Sequence, residues 1–458
     1  MSAATIAERV GGTLLGDGDA RVTGVAIDTR RLEPGDMFVA LPGEQADGHA
    51  FVRDAIRAGA TAVLVRPGSS LPDGAASIVV DDTLEALGRL AGSARGHLSA
   101  KVVAITGSSG KTITKELTAS VARGRFRTVA SEASFNNEIG VPLTILEADE
   151  ATEVLILEVG ARGVGHIASL MPMIGPDVSV VLNVGVAHIG MFGSAEAIAT
   201  AKGELVEGLG AEGVAVLNAD DAAVSAMASR TNAAVIRFGS SEDADVRASD
   251  VSMDDDARAT FTLTTRSGSA EVTLGIPGEH IVSDALAAAA VGVALGMDAP
   301  SIASGLSATP SPAWRMQTIE ASGGWRVLND AYNSNPASLA AGLKTLVAMA
   351  RGRRTWAVLG VMAELGDQTI AEHDRMGRLA VRLGVGRLVA VGEEMRPLYE
   401  AARMEGMTPE EAVMVAGADE AARVVLAGIE PGDVVLVKAS RAAGLERVAL
   451  ALAGEASA

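Results

Sequence analysis

The sequence predicts an α/β protein of three domains, and three observations carry that reading. Its 458 residues amount to about three domains of ordinary size. Apolar strand-like runs alternate with helical stretches along the chain, and the strands change character near Lys101. The segment Ser307-Ala308-Thr309-Pro310-Ser311-Pro312 then interrupts the alternation as a linker by composition, after which the pattern restarts. The expected divisions are 1–98, 99–308 and 309–458.

In the first part, short strands at Val22–Ile27, Met37–Ala40, Ala62–Val65 and Ser77–Val80 alternate with helical stretches such as Phe51–Ala58 and Leu84–Gly92. From Lys101, the runs Val102–Thr106, Val154–Val159, Val178–Val184 and Val214–Leu217 are continuously apolar. That is the pattern of parallel strands covered on both faces. Residues 246–275 alternate apolar and polar and carry many acids, which predicts antiparallel strands on one side; a helix Ser283–Leu295 follows. Beyond the linker, strands Trp325–Asp330, Trp356–Leu359, Leu388–Val391 and Val434–Val437 alternate with helices at 337–350 and 370–383, and a last helix closes the chain.

Composition narrows the function classes. No apolar run approaches the roughly 18 to 20 residues of a membrane span, so no membrane span is expected. The start, MSAATIAERVGG, lacks the basic-then-apolar build of a secretory signal. The expected compartment is therefore cytoplasmic. The absence of cysteine excludes disulfides, thiolate nucleophiles and cysteine-ligated zinc. Net charge is −19 with no clustered Lys and Arg, which argues against a nucleic-acid partner. An anionic substrate must then be held by local positive sites.

The strongest local signal is Val102-Val103-Ala104-Ile105-Thr106-Gly107-Ser108-Ser109-Gly110-Lys111-Thr112. A buried strand enters a Gly-rich turn and then a helix with apolar spacing at Ile113, Leu117 and Val121. Backbone amides of such a turn cradle phosphates, Lys111 neutralises the β/γ oxygens, and the Thr112 hydroxyl suits Mg²⁺. The full pattern has glycine where Ile105 stands, so this is a shortened form; the bland reading is an ordinary βα turn. Glu158 closes the strand Val154–Val159, where a phosphate loop needs an acid for its metal. His188 follows Val178–Val184 at the edge where open parallel sheets bind ligands, although most lone histidines are merely hydrogen-bonded. Lys202 reads as a solvated lysine on a helix 195–206, and Arg315 as a surface arginine or a cation delivered across a cleft. The Asn/Asp-rich stretch Asn329–Pro336 fits capping and turn chemistry as well as a site.

Taken in order, these segments resemble the Mur ligase family over essentially the whole chain. The resemblance rests on Thr106–Thr112, Asn136-Asn137-Glu138-Ile139-Gly140-Val141-Pro142, Glu158-Val159-Gly160-Ala161, His188, and Ala201-Lys202-Gly203-Glu204 in the centre. Later come Asp330-Ala331-Tyr332-Asn333-Ser334-Asn335-Pro336, Met362-Ala363-Glu364-Leu365-Gly366 and Val437-Lys438-Ala439-Ser440-Arg441, which look like the branch that adds D-alanyl-D-alanine.

The resemblance implies a UDP-precursor-binding first domain, a central P-loop ATPase domain and a Rossmann-like third domain, acting as a monomer. It implies an ADP-forming ligase that activates a carboxylate as an acyl phosphate, with UDP-N-acetylmuramoyl-tripeptide and D-alanyl-D-alanine as substrates in peptidoglycan synthesis. By the matched positions, Thr29, Arg30, Gln45 and Ala46 would meet the UDP part, while Gly107, Ser108, Ser109, Gly110, Lys111 and Thr112 hold ATP phosphates. Thr112 and Glu158 would hold one Mg²⁺, and His188 with carbamylated Lys202 a second. Asn137 and Asp284 would face adenine, Arg315 the phosphates, and Asp330, Tyr332 and Asn333 the third-domain side of the ATP site, with a hinge near 307–316.

Three departures stand out: Arg162 and His166 after the Glu158 segment, Ile281 and Asp284 where the family has asparagines, and Val361 before Met362. An ionised Asp284 can only accept a hydrogen bond from a base, whereas asparagine also donates. The alternatives are a sister ligase adding a single amino acid, whose Asp-Asn-Pro-Arg segment is missing here, a polyglutamate-adding folate ligase, and a P-loop switch, whose Asn-Lys-x-Asp motif is missing too.

Overall fold

In a computed structural model describing residues 1–43, 46–69, 75–185 and 189–454, the apolar runs become strands and the chain adopts a three-domain α/β architecture with mixed sheets. Two compact units form. The first comprises Met1–Ala104, Phe126–Gly160 and Ile167–Asp177; the second comprises Ile105–Arg125, Ala161–His166 and Val178–Ala458.

In the first unit, β1 (Thr13–Leu15), β2 (Val25–Ala26), β3 (Met37–Val39), β4 (Ala62–Val65) and β5 (Ala76–Val79) form a sheet in the order β1-β5-β4-β3-β2, antiparallel only at β1. Ile6, Met37, Leu64, Ile78, Leu87 and Leu90 pack its core. Helix Thr83–Arg95 starts where the Asp82 carboxylate accepts from the N–H groups of Leu84 and Glu85. Helix Ala3–Val10 and β1 have no counterpart among the expected elements. Strand β6 (Lys101–Thr106) passes from the first unit into the second. The first unit also holds β7 (Thr128–Ala130), paired in parallel with β8 (Val154–Glu158).

In the second unit, β9 (Val178–Val181), β10 (Val214–Asn218), β11 (Ala234–Gly239) and β12 (Val246–Met253) run parallel, and β13 (Arg258–Thr265) and β14 (Gly268–Pro277) continue antiparallel. The alternating, acid-rich stretch is thus antiparallel as expected, and its first strand also joins the parallel set. The remaining strands are β15 (Gln317–Glu320), β16 (Arg326–Asp330), β17 (Thr355–Gly360), β18 (Arg387–Val391), β19 (Ala412–Val415) and β20 (Val434–Lys438). They lie in the order β15-β16-β20-β17-β18-β19, with only β15 antiparallel. Among the described residues, no helix is long and apolar enough to cross a membrane.

Candidate active site

Strand β6 delivers the chain into Gly107–Gly110 and then helix Lys111–Arg123. Gly110 caps this helix with φ 82°, a left-handed conformation that costs other residues energy. A Cβ there would also lie 2.3 Å from Asp284 Oδ1. The first N–H groups of any helix lack partners within it and carry the positive end of its dipole, which suits an anion. Lys111 Nζ donates to the Gly107 carbonyl at 2.9 Å, so the loop lysine folds back over the turn. Asn183, just past β9, bonds to the loop at Ser108 and Ser109. Sequence reasoning gave Asn183 no role, although it stands in the quoted strand.

Asp284, on helix Ile281–Ala294, is buried against this loop and accepts from the Thr114 hydroxyl at 3.2 Å. Burial pushes its carboxyl up to about 7, and the Thr114 bond opposes the shift. The carboxyl is therefore part protonated near neutral pH and can donate as well as accept. At the start of the same helix, desolvation pushes His280 down to about 4, with Lys438 adding to the shift and Asp330 opposing it.

Lys202 lies on helix Ala195–Glu207 and is only 4% exposed, so the solvated-lysine reading is wrong. Burial, reinforced by the charge of Lys111, pushes its amine well below the usual lysine range. The structure thus brings Lys111 and Lys202 together and favours a neutral amine. Beside it, Gly203 leaves a notch for Arg230: a Cβ there would sit 1.7 Å from Arg230 Nη1. The guanidinium donates to the Ala199 and Thr200 carbonyls, both at 3.1 Å, and to Glu207 at 2.8 Å. His188 lies outside the described residues.

Beyond the linker, Arg315 stacks over Tyr332 with Cζ 4.1 Å from the ring centroid, and Arg441 stacks over Trp314 at 4.6 Å. Trp314 and Met316, on either side of Arg315, take φ values of 58° and 50°. Non-glycine residues persist there only where neighbouring contacts hold them. The Trp314 carbonyl accepts from Tyr332 N–H at 3.2 Å, and Met316 N–H donates to Asp330 Oδ1 at 3.1 Å. The other Asp330 oxygen pairs with the buried Lys438 ammonium, which also donates to the Asn333 carbonyl at 3.0 Å. Arg315, Asp330, Tyr332 and Asn333 are therefore one cluster, and Lys438, a residue given no role from sequence, is its centre.

In the first unit, Glu158 is buried at the end of β8 and accepts from Asn136 Nδ2 at 2.8 Å. Asn137 lies just ahead of helix Gly140–Glu147, its Oδ1 accepting from Ile139 N–H at 3.2 Å and Gly140 N–H at 2.9 Å. Arg30 is held by the Asp28 carboxylate, whose pKa that bond lowers to about 2. Thr29 precedes it in the same turn region; Ala46 accepts from Gly43 N–H at 3.1 Å, and Gln45 lies outside the described residues.

The fold and loop define a phosphate-loop α/β enzyme acting on a nucleoside triphosphate. Family models agree with that class: the Mur ligase family catalytic domain matches residues 21–95, the Mur ligase middle domain 105–292, and the glutamate ligase domain of Mur ligases 314–441. The UDP-N-acetylmuramoyl-tripeptide–D-alanyl-D-alanine ligase of Mycobacterium tuberculosis (strain ATCC 25618 / H37Rv) is 44% identical over 99% of this chain and 98% of its own. MurF from Acinetobacter baumannii superposes with a TM-score of 0.87 at 30% identity, covering 99% of each chain. MurF from Thermotoga maritima in complex with ADP superposes at 0.81 and 27% identity, covering 95% of this chain and 98% of that one. The chain belongs to the Mur ligase family.

Proposed function

We propose that this chain is a cytoplasmic, ADP-forming ligase that joins D-alanyl-D-alanine to UDP-N-acetylmuramoyl-tripeptide, using ATP, in peptidoglycan precursor synthesis. The observation that carries the reading is the full-length likeness to the M. tuberculosis ligase. We place the domains at 1–98, 99–308 and 309–458 and take the working form as a monomer.

The reaction needs two displacements. A carboxylate oxygen of the tripeptide attacks the γ-phosphorus of ATP, the bond to ADP breaks, and an acyl phosphate forms. The dipeptide amine then attacks the acyl carbon, the carbon–oxygen bond to phosphate breaks, and the amine loses a proton. The first displacement brings anions together, so Lys111 and the helix N-terminus beside it offset the charge. Arg315, fixed by Tyr332 and its left-handed neighbours, presents a further cation of constant charge.

The donor set fits Mg²⁺. Thr112 and Glu158 are buried oxygen donors, the kind that ion prefers. Lys202, held neutral, is the form of lysine that reacts with CO₂ to give a carbamate and a proton, which turns a repelled cation into an oxygen ligand. We assign Thr112, Glu158, His188 and carbamylated Lys202 as ligands of two ions. When bound, Mg²⁺ supplies charge neutralisation at the transferring phosphoryl group. Asn137 and Asp284 are assigned to the base, Asp330, Tyr332 and Asn333 to the third-domain side of ATP, and Thr29, Arg30, Gln45 and Ala46 to the UDP part.

The test is ATP-dependent phosphate release with a UDP-muramoyl-tripeptide while the amine is varied. D-alanyl-D-alanine should be required, and release of equal rate with single amino acids refutes the assignment. Lys111→Ala should lower the rate by orders of magnitude while precursor binding persists, and Lys202→Ala should recover activity with a small added carboxylate.

A further inference from the structure

We propose that Asn183 is the positioning residue of the phosphate loop, setting the peptide planes of Ser108 and Ser109 from which the loop enters its helix. Its Oδ1 accepts from Ser108 N–H at 3.0 Å and from Ser109 N–H at 3.0 Å, while its Nδ2 donates to the Ser109 carbonyl at 3.2 Å. The Asn183 backbone carbonyl takes a second share of Ser108 N–H at 3.2 Å. Three donors, the Ser109 hydroxyl at 3.5 Å being the third, and one acceptor face the side chain and fix the amide in a single orientation, because a flipped amide would set N–H against N–H and oxygen against oxygen. Only a side chain with both functions at this length satisfies the loop.

The platform beneath Asn183 is itself pinned. The Leu182 carbonyl accepts from Asn218 Nδ2 at 2.8 Å, and Val184 N–H donates to Asp221 Oδ2 at 2.8 Å. Ser108 Oγ accepts from Gly185 N–H at 2.9 Å, which closes a second tie between the same two segments. The geometry of the loop is therefore imposed from the segment following β9. Asn183 acts through the loop and touches no substrate in this assignment, which rests on the loop holding ATP phosphates.

The experiment compares Asn183→Ala and Asn183→Asp for ADP affinity by calorimetry, KM for ATP, and affinity for the UDP precursor. Asn183→Ala should weaken ADP binding about tenfold, the loss of one or two hydrogen bonds, with precursor affinity within about twofold. Asn183→Asp keeps the shape but sets an acceptor against the Ser109 carbonyl and a charge beside the phosphates. It should therefore bind ADP more weakly than the alanine variant, the reverse of the order that shape-filling alone gives. ADP affinity of wild-type strength in either variant overturns the proposal, as does an equal loss of ADP and precursor affinity in both. Lys111→Ala leaves the Asn183 bonds in place, so nucleotide affinity unchanged in that variant refutes the loop assignment separately.

Discussion

A buried carboxyl group with one hydroxyl partner is poorly solvated as an anion, and Asp284 is in that position. Its ordinary value is 3.8 and its folded value about 7, so between those values the folded protein holds a proton that the unfolded chain has released. Stability from this group is full below about pH 4 and is lost as pH rises through about 7. Asp284→Asn has nothing to lose over that interval. Urea midpoints should therefore favour the asparagine variant progressively more from pH 5 to pH 8; a pH-independent difference contradicts the burial argument. The same variant should bind ATP as tightly as the wild type or more tightly, and a clearly raised KM for ATP speaks against a base contact. The sequence marked Asp284 only by its departure from the family's asparagine. Its burial depends on Gly110 and Thr114, which lie about 170 residues away in the chain, so its proton could not be read there.

At the scale of elements, helix Ala195–Glu207 shows why one glycine sits where helix propensity disfavours it. Alanine is better than glycine in a helix interior by about 1 kcal/mol, yet the Arg230 guanidinium fills the space of the missing Cβ. Gly203→Ala should therefore lower the melting temperature and activity, whereas the same change made on top of Arg230→Ala should be neutral or stabilising. A double-mutant cycle without that coupling disproves the notch. The elements that were legible were those with long periods: β6, β8, β9 and β10 as apolar runs, and the helices Ile281–Ala294 and Pro336–Ala350 to within two residues. Strands β1, β7, β15 and β19 were not among the expected elements: β15 (Gln-Thr-Ile-Glu) is polar and has no buried position, whereas β19 (Ala-Val-Met-Val) is apolar and carries the same kind of signal as the short strands that were expected. Lys438 ends a strand that was correctly expected, but its partner Asp330 ends a different one, and only the parallel pairing of β16 with β20 sets them opposite.

Within the second unit, the candidate phosphate loop follows β6, Asn183 follows β9 and Asp330 ends β16, each at the C-terminal end of a strand, the edge at which open parallel sheets bind ligands. Within the second unit, charged turns tie the antiparallel extension to the C-terminal sheet: Arg326 donates to Asp256 at 2.6 Å, and Arg351 pairs with Asp255. These acids lie in the acid-rich stretch, whose charge taken alone reads as a solvated face.

The stacked pair of Arg441 and Trp314 also makes an optical probe. The chain has three tryptophans. Trp356 is buried with its indole N–H on Asp433 at 3.0 Å, and Trp325 donates to the Leu452 carbonyl at 2.9 Å, so both report on the body of the C-terminal sheet. Trp314 is adjacent in sequence to Arg315 and bonded to Tyr332, so its indole emits from within the cluster assigned to ATP. Trp325→Phe combined with Trp356→Phe leaves a single emitter there. Titrating ADP should change its intensity or wavelength in proportion to occupancy, giving a binding isotherm without an added dye. A spectrum that stays constant to saturation means that the indole and its guanidinium partner keep their places when nucleotide arrives.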